Sequence, residues 1–307
     1  MAEPVTMKVQ LLLLSVLLLP AIAFTQDRTL FNSGENDELF DSLSERWELD
    51  SSDHQGNFRI TTYKPMYILL GRYSTNPNRQ PTSFNPEYSL QEPLDINAAE
   101  LKFQVSFKTK IVRGFLLQHL DIWAGYSQKS HWQVYNGAKS RPFRETNYEP
   151  ELILNYRLNI PIFGFRIRMA GMAFNHQSNG RSLPQSRSWN RIIFHMALER
   201  ENWQLYLKPW IRLNDNDDEN PRITDYYGRM QAIVTFRHKK SLFTADITHS
   251  LRFDENNRGS IRLDWAFHIN GFLRGRIEVF EGYGETLIDY NHRQFVIGAG
   301  ISLVEWR

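Results

Sequence analysis

The sequence predicts an all-β fold, a twelve-stranded antiparallel transmembrane β-barrel, and three observations carry that expectation. Segments of about ten residues alternate apolar with polar along most of the chain, the period-2 signature of half-buried strands. Their polar positions hold full charges beside small residues, as a wet lumen would. Aromatics also gather near the strand ends (Tyr67, Tyr73, Trp123, Tyr126, Trp203, Trp210, Tyr226, Tyr227, Tyr283 and Tyr290), as in the interface girdles of membrane barrels. A soluble sandwich would alternate in the same way, so the third observation, an export signal at the N-terminus, weighs towards the barrel.

That signal comes first in the chain. Lys8 precedes the apolar run "LLLLSVLLLP", and "AIA" at 21–23 is a small-x-small cleavage site. A run this short with these flanks marks residues 1–23 as a secretory signal peptide rather than a span. A buried N-terminal helix is the alternative, and Met7 is a second candidate start. No later apolar run approaches about 18 residues, which leaves a secreted, periplasmic or outer-membrane protein. Residues 24–60 are rich in Asp, Glu, Ser and Asn and read as a polar periplasmic arm of uncertain order.

Residues 61–307 form the barrel. In "LKFQVSFK", Leu101, Phe103, Val105 and Phe107 oppose Lys102, Gln104, Ser106 and Lys108. "LFTADITH", "IRLDWAFH" and "FVIGAGISL" repeat the pattern. The expected strands are 65–74, 98–110, 117–127, 150–159, 163–178, 188–200, 202–213, 225–238, 241–250, 258–268, 271–282 and 293–305. Their even number suits a bacterial outer-membrane barrel. The C-terminus departs from habit, because Trp306 is followed by Arg307 where such barrels often end on an aromatic residue. The formal net charge of +2 over 307 residues gives no basis for a general nucleic-acid binder. The absence of Cys excludes disulfides and thiolate metal sites.

Outer loops are long and inner turns short in such barrels. With the N-terminus inside, the outer connections lie near 75–97, 128–149, 179–187 and 214–224. The third of these belongs to the stretch "FNHQSNGRSLPQSRSWNR", residues 174–191. His176 and Ser178 are two apart and share a strand face with Phe174, Met172 and Ala170. On the next strand Asn190, Ile192, Phe194, Met196 and Leu198 share a face. A hairpin centred near Leu183 sets His176 opposite Asn190, with Cβ atoms about 5 Å apart. Three polar residues then cluster on the lipid-facing wall near the outer rim, where they are costly unless paired or functional. Ser178 can pass a proton to His176 while Asn190 holds the other ring nitrogen, the arrangement of an activated nucleophile. Interface polar residues capping the wall would look the same by spacing alone.

The same residues closely resemble the bacterial outer-membrane phospholipase A family. "NHQSNGRS" (175–182) and "SRSWNR" (186–191) match its signature. Further blocks follow in order: "YSQKSHWQVYN" (126–136), "RPFRETNYEPEL" (141–152), "LKPW" (207–210) and "GYGETLIDYN" (282–291). The resemblance spans roughly residues 60–307. It implies a twelve-stranded barrel in the bacterial outer membrane. It also implies calcium-dependent hydrolysis of phospholipid acyl esters, of the A1/A2 and lysophospholipase type, by a homodimer whose monomer is inactive.

By motif position Ser178 resembles the nucleophile, His176 the base and Asn190 the orienting residue, with the Gly180 N–H as oxyanion donor. Calcium, which prefers oxygen ligands, would take the Arg181 carbonyl, the Ser186 hydroxyl and a carbonyl from Ser140 of the partner chain. Gln128 matches a residue lying between subunits in the family, although a rim or lumen glutamine is the plainer account. The family often has Asp where this chain has Leu183. That Asp, with the residue matching Asp218, belongs to a second calcium site, which Leu183 puts in doubt. The loop 214–220 keeps Asp215, Asp217 and Asp218, and a solvated turn or an anchor for divalent ions among lipopolysaccharides would account for it equally. The main rival is a non-enzymatic barrel, either a porin or a structural protein. A barrel-borne protease would need a His paired with those acids, and none is found.

Overall fold

Alternation in the sequence becomes sidedness in space. Val105 and Phe107 of β3 (Ala99–Val112) face outward, while Lys102, Ser106, Lys108 and Lys110 of the same strand are buried. Leu263 and Trp265 of β11 (Gly259–Asn270) are exposed beside buried Asp264 and Ala266. A wall apolar outside and charged inside is the inverse of a soluble sandwich and suits a stave in lipid. These facts come from a computed structural model that describes residues 42–215 and 217–305. The signal peptide 1–23, residues 24–41, Asn216, Trp306 and Arg307 lie outside the described residues.

Thirteen strand segments form one antiparallel sheet closed upon itself, with twelve staves. β2 (Met66–Ser74) closes the ring, with Tyr67 opposite Gln104 on β3 and Tyr73 opposite Ile297 on β13 (Gln294–Val304). The extra segment, β1 (Ile60–Thr62), lies end to end with β2 on the same edge of β3. The break falls at Tyr63, Lys64 and Pro65, where proline cannot donate to a ladder. There the Lys64 N–H donates instead to Ser106 Oγ at 3.2 Å. The Lys64 ammonium enters the lumen and meets Glu149 at 2.7 Å and Glu151 at 3.0 Å.

Three expectations need correction. β4 (Leu120–Trp132) and β5 (Phe143–Ile162) run well past the expected ends, so the outer loop between them is only 133–142. The polar residues that suggested a loop sit on the ladder, with Gln128 opposite Tyr148 and Ser130 opposite Thr146. The stretch expected to start a strand at 225 instead forms a short helix, Ile223–Tyr226, before β9 (Met230–His238). Not all the aromatics form a girdle either. Tyr67, Trp123, Trp210 and Tyr290 are buried inside, and the first three lie against lumen cations, as Trp123 does under Lys108 and Lys110.

The lumen is filled. Lys102 bridges Glu278 at 2.5 Å and Glu285 at 2.8 Å, and Arg144 joins Glu100 and Asp289 at 2.9 Å each. Buried charges persist only when paired in this way. At the inner end, residues that read as part of a polar arm fold into the barrel. Helix Leu43–Trp47 starts with a capping box between Ser42 and Glu45, and Trp47 packs on Tyr63, Trp123 and His195. Turns at that end are two residues long at 163–164, 201–202, 239–240 and 271–272. The opposite end carries the long connections, and one of them, 283–293, buries Leu287 and Tyr290 in the outer mouth.

Candidate active site

The hairpin of β6 (Phe165–Ser178) and β7 (Ser188–Arg200) holds the outer loop 179–187. Its register sets His176 opposite Asn190 and Ser178 opposite Ser188. Met172 and Phe174 on β6 and Phe194 on β7 are exposed, whereas Ala173, Asn175 and Arg191 are buried. Period 2 therefore places His176, Ser178 and Asn190 on the outward, lipid-facing side. The ladder explains the precision of the pairing, since a slip of one residue would send all three into the lumen.

His176 Nδ1 lies 2.9 Å from Asn190 Oδ1. An amide oxygen only accepts, so Nδ1 carries a proton, and in the neutral ring Nε2 keeps its lone pair. Among the described residues Nε2 has no hydrogen-bond partner, and Ser178 lies two residues along on the same strand face. Among the described residues the Ser178 hydroxyl makes no hydrogen bond, which leaves it available to a base and an incoming ester.

The loop supplies further groups. Gly180 has φ of +63°, and a Cβ there would meet the Tyr148 ring at 3.1 Å. Both facts favour glycine. Among the described residues no group accepts from the Gly180 N–H, and none donates to the Arg181 carbonyl. The Arg181 side chain makes three hydrogen bonds: it donates to Gln185 Oε1 at 2.9 Å and to the carbonyls of Phe143 and Arg144 at 2.8 and 2.6 Å.

Ser186 Oγ donates to Glu219 Oε1 at 2.7 Å, and Glu219 Oε2 is buried with no partner. The acidic loop thus reaches the site through Glu219, which the motif comparison passed over. Asp218 is committed elsewhere, to Arg212 at 2.5 Å and to the Asn220 N–H at 3.1 Å. Asp217 accepts from the Tyr88 hydroxyl at 2.8 Å, and that bond to a carboxylate holds the phenol up at about 12. No sequence signal separates Glu219 from its neighbours, because only loop geometry decides which acid turns towards Ser186. Leu183 is exposed on the same loop.

Ser140 sits on the adjacent outer loop with φ of +58°, its N–H donating to the Gly137 carbonyl. Among the described residues it bonds to neither Arg181 nor Ser186. Gln128 lies on the outward face between Val105 and Tyr148. It accepts from the Tyr126 hydroxyl at 3.1 Å and donates to Ser130 Oγ at 3.2 Å.

The family model described as phospholipase A1 matches residues 43–303. A putative phospholipase A1 of Neisseria meningitidis serogroup B is 38% identical over 279 residues, covering 88% of this chain and 72% of that one. Among solved structures, the outer membrane phospholipase A of Escherichia coli is similar with a TM-score of 0.73 and 33% identity, over 81% of this chain and 100% of that chain. An active-site mutant of the same Escherichia coli protein, with an asparagine replaced by alanine, matches equally. A Salmonella typhi outer membrane phospholipase dimer with bound calcium also has a TM-score of 0.73, at 32% identity over 82% of this chain and 95% of that one.

Proposed function

This chain belongs to the phospholipase A1 family, an enzyme of the bacterial outer membrane, and on that premise we propose that it cleaves phospholipid acyl esters with a Ser178–His176–Asn190 triad facing the outer leaflet. The observation that carries this reading is the 2.9 Å tie from His176 Nδ1 to Asn190 Oδ1 on the lipid-facing wall, with Nε2 and the Ser178 hydroxyl left uncommitted. A polar trio facing hydrocarbon is costly unless it is paired or functional. The active-site asparagine of the similar Escherichia coli structure supports the third member.

Ser178 Oγ attacks the acyl carbonyl carbon while its proton passes to His176 Nε2. The carbonyl electron pair moves onto oxygen, and the Gly180 N–H donates to that oxyanion. When the tetrahedral centre collapses, the ester C–O bond breaks and His176 returns the proton to the departing lysophospholipid oxygen. Water, deprotonated by His176, then hydrolyses the acyl-serine and releases a fatty acid. Asn190 keeps the ring in the required tautomer throughout, and as a neutral amide it does so without setting a full charge beside lipid.

The oxygen donors beside Ser178 suit a hard cation. They are the Arg181 carbonyl, the Ser186 hydroxyl and the unpartnered buried oxygen of Glu219, with a carbonyl from the partner subunit's Ser140 completing the set in a dimer. Calcium bound there would stabilise the developing oxyanion. The calcium-bound dimer among the similar structures supports both the metal and the homodimer. Requiring two chains to complete the site would keep the monomer silent in an intact membrane.

The test is fatty-acid release from phospholipid by refolded protein in detergent micelles, with calcium or a chelator, for the wild type and Ser178→Ala. Calcium-dependent release abolished by the substitution is expected. Equal release by both proteins would remove Ser178 from the mechanism.

A further inference from the structure

One residue of the hairpin, unused by the triad, is tied more heavily than any catalytic group. Asn179 follows the nucleophile directly and is 3% exposed. Its Oδ1 accepts from the Arg181 N–H at 3.3 Å and the Arg187 N–H at 2.9 Å. Its Nδ2 donates to the Gln185 carbonyl at 2.8 Å and to Glu145 Oε2 at 3.3 Å. Its backbone N–H donates to the Arg187 carbonyl at 2.9 Å. Both N–H donors and both lone pairs of the amide are therefore occupied.

The geometry points to Asn179 as the positioning residue that holds the oxyanion donor and the cation donors in one arrangement. This rests on the function proposed above. The loop 179–187 contains Gly180, Arg181 and Ser186, and a loop of that length has many conformations of similar energy. Asn179 bonds to the chain at 181, 185 and 187, immediately beside each of those three groups. It fixes the loop from within, so the Gly180 N–H and the Arg181 carbonyl need no partners of their own. Both stay unbonded, as do the N–H groups of Ser182, Leu183 and Ser186 among the described residues, so few main-chain bonds of its own hold the loop and the four Asn179 side-chain bonds weigh heavily in its shape. Beneath Asn179, Glu145 ties the loop to the barrel mouth. It accepts from Asn147 Nδ2 at 2.7 Å and from the Ile288 N–H at 3.3 Å, and it faces the Arg181 guanidinium at 3.6 Å. The catalytic hairpin is thereby coupled to the 283–293 connection, which buries Ile288 in the outer mouth.

The side-chain identity is specific. Aspartate would keep both accepted N–H bonds but lose the donation to Gln185 and set a second carboxylate against Glu145. Alanine would lose all four side-chain bonds while leaving the ladder pair His176–Asn190 in place.

The experiment compares wild type, Asn179→Ala, Asn179→Asp and Ser178→Ala, refolded in micelles, by calorimetric titration with calcium and by kcat and KM at saturating calcium. Heat-modified gel mobility reports the folded barrel. Asn179→Ala is expected to bind calcium about tenfold or more weakly, with kcat lowered more than KM is raised, as for lost hydrogen bonds that pre-organise a site. Asn179→Asp is expected to fall between alanine and wild type, and it carries the test if the alanine variant does not fold. Wild-type calcium affinity and kcat in a folded Asn179 variant would overturn the proposal. An active Ser178→Ala protein would instead overturn the triad beneath it, so the two failures are separable.

Discussion

On the reading proposed above, single side chains at this site divide into those that react and those that aim. His176 receives orientation from Asn190, and Ser186 receives a carboxylate from Glu219. The second pair leads to a prediction. Glu219 Oε2 is buried without a partner, and a desolvated carboxylate oxygen left unpaired is costly unless it meets a cation. Glu219→Gln keeps the size and the acceptor for Ser186 but removes the charge. We expect it to raise the calcium concentration for half-maximal activity about tenfold, as for the loss of one charge-assisted contact, while Asp218→Asn leaves it nearly unchanged. Titrating activity against buffered calcium distinguishes them. Equal effects from both would return the role to Asp218. The facing of His176 and Asn190 was legible from sequence because strand periodicity and hairpin symmetry fix which residues lie opposite each other. Glu219 was not, because the loop 214–229 has no period, and neighbouring acids diverge by the turn of one peptide.

Elements follow the same division between periodic and aperiodic. Ten of the twelve expected strands begin within three residues of where the ladder does, since alternation between lipid and lumen writes itself into the sequence. The failures have definite causes. Gln128, Ser130 and Thr146 are polar on an outward face and were taken for loop, yet they lie in register on β4 and β5. Pro65 conceals the continuity of β1 with β2. Helix Ile223–Tyr226 is too short to show a helical period. Its stability lies in tertiary charge pairing: Asp225 receives Arg222 at 3.2 Å, Arg229 at 2.9 Å and Arg252 at 3.1 Å. Burial alone would raise this carboxyl, but Arg229, Arg222 and Arg252 together hold it below its ordinary value. A lowered folded pKa gives stability that is present above the unfolded value and lost as pH falls through the folded one. The outer loop 214–229 should therefore keep its protection from proteolysis at neutral pH and lose it progressively below about pH 4. Asp225→Asn should lose that protection at neutral pH as well. Limited proteolysis across pH measures this, and an unchanged cleavage rate down to pH 2 would rule the pairing out as the loop's anchor.

The whole molecule answers two questions that no single stave can. The first is whether the barrel conducts. Ion pairs such as Lys102–Glu278 and Arg144–Asp289 cross the lumen, Trp47 fills its inner end, and a cavity of about 100 Å³ remains among them. That space takes fewer than about ten waters at about 10–15 Å³ apiece, and the crossing ion pairs with Trp47, rather than a lack of volume, stand in the way of a hydrated path. Planar bilayers should show no steady porin-sized conductance from the wild type, and a stable open pore would contradict the filled lumen. The second question is what the outer wall meets. Gln128 faces outward between exposed Val105 and Tyr148. Its oxygen takes Tyr126, and one of its two N–H groups reaches Ser130. The second N–H has no partner among the described residues, and an unsatisfied donor on a lipid-facing wall is costly. A second copy of this chain can satisfy it, as polar side chains do across membrane interfaces at about 1 kcal/mol each. A dimer through this wall would also bring each chain's 133–142 loop, with Ser140, towards its partner's catalytic hairpin. Gln128→Leu removes the unpaired donor without altering the ladder. It should shift the calcium-loaded dimer towards monomer several-fold in micelles by sedimentation, and it should lower specific activity most at low protein concentration. A dimer of unchanged strength would place the contact on another part of the wall.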